Sequence, residues 1–475
     1  MKGFLFALSV FLCAAGIYAN ELDLGLQAGA STGTVTPSPL WLKGLAGFDA
    51  SSGRLEVLGH LGFRTDGTYG GFMNGGYGYG NLCFQTIDGG FIYSGDSIKA
   101  SMGKLEMRDI VDSPYSLFLS GRNNKALTAS LDFNTGNFFY QDRWISLSYN
   151  LLNTYEGATW SWPDRSAVVK AWGVQLGSFR VALQDAIVYT GSSGRDPLFN
   201  YEYYLYPIPS FFVQYIGSSE DSPWRQNDYN DNSMTGFMLD WRNEDWYALG
   251  QVLVDDFDTN RFLKPSGTQN PDKIAWEMGV TRKTEIGTFG FYHAGATKYT
   301  FEPYGNSTQN DMYGYTFSPD VEFDVNGKYR MIEPEDNYVG YLHGENNIAF
   351  MGTWKNLFDR CAVEASLEFM ISGSKSPANP WGPLMSWSDD GSGDKLLNDA
   401  RLEKRLVLSG SASIPAGSFV IGAEVKIGWV WNELDLASTS TSASDAVNGL
   451  SYYYPSNKAA PIGQLAIGAT YHLPF

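Results

Sequence analysis

The C-terminal stretch 465-LAIGATYHLPF-475 decides the fold of this chain. Every second side chain in it is apolar or aromatic, with small or polar residues such as Thr470 and His472 between them. A period of two is typical of a strand with one buried face. A strand that closes a membrane barrel needs this pattern, because lipid lies on one side and a polar interior on the other. The predicted apolar face consists of Leu465, Ile467, Ala469, Tyr471, Leu473 and Phe475.

The same stretch resembles the C-terminal recognition strand of bacterial outer-membrane proteins, which alternates apolar residues and ends on Phe. Pro474 departs from that pattern because it removes a ladder donor, although this costs little at the end of a strand. The resemblance implies a chain that periplasmic chaperones and the barrel-assembly machinery would handle.

The N-terminus predicts export. A basic start at Lys2 precedes an apolar run from Phe4 to Ile17, with small or neutral residues before Asn20, which is the pattern of a secretory signal peptide. No later run of about 18 apolar residues offers a transmembrane helix. We therefore expect a signal peptide over residues 1–19 and a single outer-membrane β-barrel over residues 20–475.

Composition supports a barrel. The chain has 53 Gly, 15% aromatic and 18% charged residues, and its mean hydropathy is −0.22. These values suit strands with one lipid face and one wet face, although a large secreted β-protein is a competing interpretation. The net charge of −18 argues against nucleic acid as a partner, because phosphate contacts need a basic surface. The partner that this composition predicts is outer-membrane lipid.

Hairpins recur along the whole chain. The clearest one runs from Leu406 to Ile414, turns at Pro415–Ser418 and returns from Phe419 to Trp431. Trp429 and Trp431 end the long apolar face of the return strand, as in an interfacial aromatic girdle. Counting such segments predicts an all-β fold: one antiparallel transmembrane β-barrel of about 18 strands, within a range of 16 to 20.

The connections are of two kinds. Short ones such as Gly177-Ser178 are expected to be periplasmic turns, and long ones are expected to be extracellular loops. Loops of this length are usually functional or disordered. The predicted long loops are 192–209, 217–233, 258–271, 301–340, 373–402 and 433–460.

No catalytic pattern accompanies these strands, so we predict no enzyme and no catalytic residue. The four histidines do not form a His-x-x-x-His pair, and no Gly-x-Ser-x-Gly elbow is present. We predict no metal site and no cofactor, with one weak exception. Asp228-x-Asn230-x-Asn232 offers the oxygen ligands of a Ca²⁺-binding loop, but the turn glycine and the distal Glu of that loop are missing. Cys83 and Cys361 are either small strand residues or one disulfide.

Aromatic residues concentrate in the long loops together with Asp, Asn and Gln. Such a mixture can stack on sugar rings and bind their hydroxyl groups, but each aromatic taken singly is equally typical of a membrane-interface anchor. The loop aromatics are Tyr201, Tyr203, Tyr204, Tyr206, Trp224, Tyr229, Trp381, Trp387, Tyr452, Tyr453 and Tyr454.

The middle of the chain, over roughly residues 180–350, resembles the Wzi capsule-assembly family. The resemblance is carried by short motifs: Ala186–Gly191, Tyr204–Pro207, Asp231-Asn232 and Gly250–Phe257, in that order. It implies an 18-stranded barrel in the bacterial outer membrane that acts as a surface lectin, holding exported polysaccharide on the cell. The alternative is that the chain functions as a general or substrate-selective diffusion porin.

Several polar residues of this region are candidates for the site. Asp240 lies between Leu239 and Trp241, so alternation points it away from lipid, and the same reasoning points Gln251 and Asp255 inward. A hydrogen-bonded lumen network that plugs or stiffens the barrel is the alternative role for these polar residues. The predicted ligand-binding residues are Asp231, Asn232, Asp240, Gln251, Asp255, Asp256, Tyr204, Tyr206, Trp224 and Tyr229.

Overall fold

A computed structural model of the chain describes residues 18–34, 36–68, 77–79, 82–120, 126–149, 152–155, 158–161, 164–190, 200–218, 231–257, 271–302, 314–319, 321–324, 329–375, 396–438 and 451–474. The predicted signal segment therefore lies almost wholly outside the described residues, and it stays a prediction.

Eighteen antiparallel strands close into one barrel, which confirms the predicted fold class. Each strand pairs with its neighbours along the chain, and the first strand closes the barrel on the last, with register from Glu21 opposite Pro474 to Ser31 opposite Gln464. The strands are β1 (Tyr18–Ser31), β2 (Leu40–Ser52), β3 (Leu55–Arg64), β4 (Leu82–Ser94), β5 (Ile98–Lys104), β6 (Leu127–Thr135), β7 (Phe138–Ser148), β8 (Arg165–Leu176), β9 (Phe179–Thr190), β10 (Asn232–Arg242), β11 (Trp246–Asp256), β12 (Lys273–Thr284), β13 (Gly287–Ala296), β14 (Asn347–Phe358), β15 (Cys361–Ser372), β16 (Glu403–Ala416), β17 (Phe419–Trp431) and β18 (Ala459–Pro474).

The two ends of the barrel differ in their connections. Links of two or three residues, such as 177–178 between β8 and β9, join strands at one end, which we call the short-turn end. Links of eight or more residues join them at the other end, which we call the long-loop end. Gly177 and Gly417 adopt the positive φ that these tight turns require, at 62° and 66°.

Large apolar side chains cover the outer wall. They alternate along each strand with lumen-facing residues, and a surface of this kind is stable only against hydrocarbon. Trp429 and Trp431 belong to this exposed surface, and Leu465 and Ile467 of β18 lie on it as well. Further members are Leu24, Leu26, Phe91, Phe179, Val181, Phe237, Leu239, Leu367, Leu408, Ile421 and Ile427.

Smaller elements connect the strands at the long-loop end. Two-stranded ribbons pair Leu152–Tyr155 with Ala158–Ser161, Glu322–Asp324 with Tyr329–Met331, and Leu434–Ser438 with Ser451–Pro455. Tyr77–Tyr79 adds a short strand beside β4. The helices are α1 (Tyr201–Leu205), α2 (Ser210–Ser218) and α3 (Pro334–Asn337). Among the described residues, every helix is too short or too polar to cross a bilayer.

Two long connections turn into the lumen instead of facing outward. The first is residues 105–120, between β5 and β6, and the second is the described part of residues 297–346, between β13 and β14. The Tyr315 hydroxyl donates to Phe118 O at 2.6 Å, and Ser120 N donates to Val339 O at 2.8 Å, so the two segments pack on each other. The first segment was not predicted from the sequence, and most of the second was predicted to be an outward loop over residues 301–340.

These inner segments also reverse the wall pattern beside them. Near the long-loop end, Ile145, Ala167 and Val188 face the lumen and belong to one buried cluster with Leu117 of the first inner segment. The opposite, outward face of the same strands carries charged side chains as well as apolar ones such as Trp144 and Ile187. The expectation that apolar faces always meet lipid is wrong here, because the inner segments offer a second apolar surface to bury against.

A segment of residues 200–218, which we call the wall segment, covers this outward face. Lys170 lies between Asp142 and Asp185 in the strand register, and its Nζ donates to the backbone oxygens of Tyr206 and Ile208 at 2.7 and 3.2 Å. Ser210 N donates to Asp185 Oδ2 at 2.9 Å. The wall segment thereby keeps these charges away from lipid, where each would be costly.

Candidate functional site

The first part of the site is a charged group in the lumen near the short-turn end. Arg180 of β9 and Asp240 of β10 face each other in the register, and Arg180 Nε donates to both carboxylate oxygens of Asp240 at 3.1 Å. The Tyr247 hydroxyl donates to Asp240 Oδ2 at 3.2 Å, and Arg180 also donates to Ile110 O of the first inner segment at 3.0 Å. Asp240 therefore points into the lumen, where it holds an arginine that anchors the inner segment.

Gln251 lies at the centre of the second part. Its side-chain oxygen accepts from Leu117 N at 2.7 Å, and its Nε2 donates to Asp109 Oδ2 at 3.1 Å. Gln184 Nε2 donates to the other oxygen of Asp109 at 2.7 Å. Burial raises the pKa of the Asp109 carboxyl, although the hydrogen bonds from Gln251 and Gln184 oppose this shift. The arrangement fixes the first inner segment to β9 and β11.

Asp255 does the same for the second inner segment. Its Oδ2 accepts from the backbone N–H groups of Phe301 and Glu302 at 2.9 and 3.1 Å, and Lys273 Nζ lies 3.8 Å away. Asn232 is buried on the lumen face at the start of β10. Asp256 is half-buried at a register shift beside Asp255. Gln251 and Asp255 face inward, as alternation indicates, and both bind inner segments.

The remaining predicted residues lie elsewhere. Asp231 is on the outer wall, where its Oδ2 accepts from the Tyr203 hydroxyl at 2.5 Å. Tyr204 is half-buried in the wall segment and Tyr206 is exposed on it. Trp224 and Tyr229 lie outside the described residues, as does most of the predicted Ca²⁺ loop. The structure thus brings together Asp240, Gln251 and Asp255 as lumen contacts of the inner segments, and separates them from the wall tyrosines.

A third group of charges holds the second inner segment near the long-loop end. His343 lies between Glu335 and Glu368, with Nδ1 3.1 Å from Glu335 Oε1 and Nε2 2.8 Å from Glu368 Oε1. Arg405 donates to the same Glu335 oxygen at 3.0 Å. The Tyr115 hydroxyl donates to Glu368 at 2.8 Å, so the first inner segment joins this group. Composition alone gives no signal for it, because its members come from distant parts of the chain.

The charge around His343 sets its protonation. Burial by itself lowers the pKa of the imidazole, but the charges of Glu368 and Glu335 and their hydrogen bonds outweigh burial, so the pKa is raised. Burial likewise acts to raise the pKa of Glu335, and Arg405 together with His343 outweighs it, so that pKa is lowered. The group is therefore a set of ion pairs that ties the inner segment to β15 and β16.

A cavity remains below the first inner segment, toward the short-turn end. Its volume is about 630 Å³. Arginine and acidic side chains line it together, including Arg108, Arg180, Arg242, Asp112 and Asp240. The cavity can hold small polar or charged solutes. Above it, the two inner segments occupy part of the lumen, and further cavities of about 530 and 470 Å³ lie along the lumen faces of β1–β3 and of β14–β17.

No family model matches the chain, and no curated protein matches it. Solved structures do match. The Wzi outer-membrane protein of Escherichia coli, described as a carbohydrate-binding β-barrel involved in group 1 capsule assembly, aligns at 11% identity and a TM-score of 0.51, covering 96% of this chain and 85% of that chain. A BenF-like porin from Pseudomonas fluorescens (8% identity, 96% and 98% covered, TM-score 0.46) and OccAB2 from Acinetobacter baumannii (11%, 96% and 98%, TM-score 0.46) also align.

At this identity, the likeness to the Escherichia coli barrel establishes the fold alone. That fold is the bacterial outer-membrane β-barrel, and the apolar outer wall of this chain independently requires hydrocarbon around it. The chain is therefore an outer-membrane barrel that lies in membrane lipid. Short turns in such barrels face the periplasm and long loops face the exterior, so the short-turn end is the periplasmic end.

Proposed function

We propose that this barrel binds polysaccharide at the cell surface, as a Wzi-like attachment or assembly lectin for capsule. The observation that carries the proposal is the obstructed lumen: two inner segments, fixed to the wall through Asp240, Gln251 and Asp255, occupy part of the path that a free diffusion pore would need. The fold similarity to a carbohydrate-binding barrel agrees with this. Binding then takes place on the long-loop end.

Aromatic side chains at that end supply a surface for sugar rings. Tyr452 and Tyr454 lie on one face of the ribbon that extends β17 and β18, with ring centroids 6.2 Å apart, and both are half-buried. Tyr453 between them turns the other way, and its hydroxyl donates to Ile332 O of the second inner segment at 2.6 Å. Paired rings beside polar loops can stack on sugars while neighbouring groups bind hydroxyls.

The test combines binding with conductance. Purified protein is applied to an array of bacterial surface polysaccharides, and the same preparation is recorded in planar bilayers. We expect retention of at least one polysaccharide and no large stable conductance steps. Tyr452→Ala with Tyr454→Ala should weaken retention, whereas Phe419→Ala, in an aromatic pair with Tyr471 at the short-turn end, should not. Large steps without retention would contradict the proposal.

A substrate-selective porin is the second candidate. The cavity favours it, because arginine and acidic side chains line it together and could bind a small solute that carries both kinds of charge. The conductance recording separates the two functions: small steps blocked by such a solute would favour the porin.

A further inference from the structure

A cluster of histidine and carboxylate side chains lies on the lumen wall near the short-turn end, where the barrel closes. His472 Nδ1 is 2.7 Å from both Asp23 Oδ1 and Glu21 Oε1. His60 Nε2 is 3.4 Å from the other oxygen of Asp23, and His60 Nδ1 is 2.6 Å from Asp88 Oδ1. We call this the seam cluster: Glu21, Asp23, Asp49, His60, Asp88 and His472.

The strand register builds the cluster. Asp23 of β1 lies directly opposite His472 of β18 on one side and Gly47 of β2 on the other, and Gly47 in turn lies opposite His60 of β3. A Cβ on Gly47 would lie 1.9 Å from His60 Cδ2. Glycine is therefore needed for the imidazole to reach across β2 toward Asp23.

A register shift completes the arrangement. The pairing of β3 with β4 shifts between His60 and Leu61, so that Asp88 lies opposite His60. Such bulges re-aim side chains, and they are frequent beside functional sites. Asp88 then holds Nδ1 of His60 and leaves Nε2 directed at Asp23.

The two carboxylate contacts of His60 need a positive charge on the ring or beside it. A neutral imidazole has one N–H and one lone pair, yet both ring nitrogens of His60 face carboxylate oxygens. A second ring proton or a bound cation supplies this charge, and a cation at Nε2 would accept the lone pairs of both His60 and Asp23.

We propose that the seam cluster binds a divalent transition-metal ion, with Zn²⁺ as the best fit. The ligands are His60 Nε2, Asp23 and Asp49, and His472, bonded to the other oxygen of Asp23, holds that carboxylate in place. The ligand atoms of Glu21, Asp23 and His472 lie within 4.8 Å of one another, as do those of Asp23, Asp49 and His60. Imidazole and carboxylate ligands suit Zn²⁺.

The distances are close to those of a zinc site. Tetrahedral ligands at about 2.0–2.1 Å from the metal lie about 3.3 Å from one another, and His60 Nε2 lies 3.4 Å from Asp23. His472 Nδ1 lies 2.7 Å from the other oxygen of Asp23, so it bonds the carboxylate from the side of β18. Asp88 occupies the outer position that orients a metal-bound histidine and raises its basicity.

Such a metal would connect β3 to β1 and β2, and Asp23 would link it to His472 of β18. Since β1 and β18 form the last pairing that closes the barrel, the ion stabilises the closed form over any open one. Ligand binding to the folded state alone raises stability according to ligand concentration. The metal thus stabilises the closed barrel, and this effect does not depend on what the long-loop end binds.

The test uses the full barrel in detergent after removal of metal with a chelator. Titration with ZnCl₂ by calorimetry should give one Zn²⁺ per chain, and the temperature at which the barrel loses its fast gel mobility should rise. His60→Ala with His472→Ala should lower the affinity at least 10-fold. His293→Ala is the matched control, because His293 is another strand histidine, bonded to Trp276 and not to carboxylates.

Folding is checked in every variant by gel mobility before and after boiling. Co²⁺ added to the stripped protein should give visible absorption bands that His60→Ala weakens and His293→Ala leaves unchanged. Equal Zn²⁺ affinity in the double variant and the control would overturn the proposal. So would failure of the folded wild type to bind Zn²⁺, or Ca²⁺ binding that Asp23→Asn abolishes and the histidine variants do not change.

Discussion

Single side chains in the lumen act mainly by fixing the inner segments. Asp240 is an example, because its carboxylate is 2% exposed and bonds Arg180, which in turn donates to the backbone of the first inner segment. The same carboxylate that alternation marks as a binding candidate therefore has a structural role in the described residues.

Replacing Asp240 with Ala should destabilise the barrel. Removing one partner of a fully buried ion pair costs about 3–5 kcal/mol, and because Arg180 stays 28% exposed we expect about 1–3 kcal/mol. Urea unfolding followed by tryptophan fluorescence measures this. Glu364→Ala is the control, because its lumen pair with Lys355 is more than half exposed and should lose less than about 1 kcal/mol. Equal losses would contradict the argument.

His343 predicts a pH dependence of the second inner segment. A raised pKa means that the charged imidazole contributes its full stabilisation below the unfolded pKa, about 6.5, and loses it as pH rises through the folded value. The protection factors of residues 338–346, which are exchange rates divided into the intrinsic rate at the same pH, should therefore be highest at low pH and fall above the raised pKa. In His343→Gln this pH dependence should disappear. Protection that increases with pH in the wild type would contradict the assignment.

Among the elements, the wall segment is the clearest departure from a simple barrel. Its inner side satisfies Lys170 and Asp185, and its outer side presents exposed rings such as Phe211 and Phe212. Because these rings continue the apolar surface of β9 and β10, the segment serves as part of the lipid-facing wall. Without this cover, the side chains of Asp142, Lys170 and Asp185 would face hydrocarbon, where charged groups are unstable.

Phe212 should therefore contact lipid. A fluorophore on Phe212→Cys, in a chain without its other cysteines, is expected to be quenched by brominated lipid and protected from aqueous iodide. The same fluorophore at Ser178→Cys, in a short turn, should show the opposite behaviour. Strong iodide quenching at position 212 would mean that the wall segment lies in water.

At the scale of the molecule, closure depends on one strand pair. β1 and β18 join residues from the two ends of the chain over eleven register positions, with Ala28 opposite Ile467 on the outer face. The seam cluster lies on the lumen side of the same pair. Closing the sheet leaves no open edge for hydrogen bonding in the membrane.

This register predicts a disulfide. Ala28→Cys with Ile467→Cys, in a chain without other cysteines, should cross-link on oxidation and keep the barrel resistant to heat on a gel, because opposite Cβ atoms lie about 4.5–5.5 Å apart. Ala28→Cys with Ala466→Cys should not cross-link, because Ala466 faces the lumen. Efficient cross-linking of the second pair instead would show that the register is shifted by one residue.

The sequence by itself determined the outer wall and the number of strands. The period of two in β16, β17 and β18 follows from the local backbone, since successive side chains of a strand point to opposite faces. Lipid on one side and water on the other then select the apolar face. The inward direction of Asp240, Gln251 and Asp255 followed from the same rule and agrees with the structure.

Only the tertiary structure decided what fills and surrounds that wall. Gln251 meets Leu117 across 134 residues of chain, and His472 meets Asp23 across 449. The alternation of side chains along a strand carries no information about such distant contacts. The inner segments and the seam cluster were therefore not predicted. The reversal of faces near Ile145 has the same origin. An apolar side chain is equally stable against lipid or against a packed inner segment, and the fold alone determines which of the two it meets.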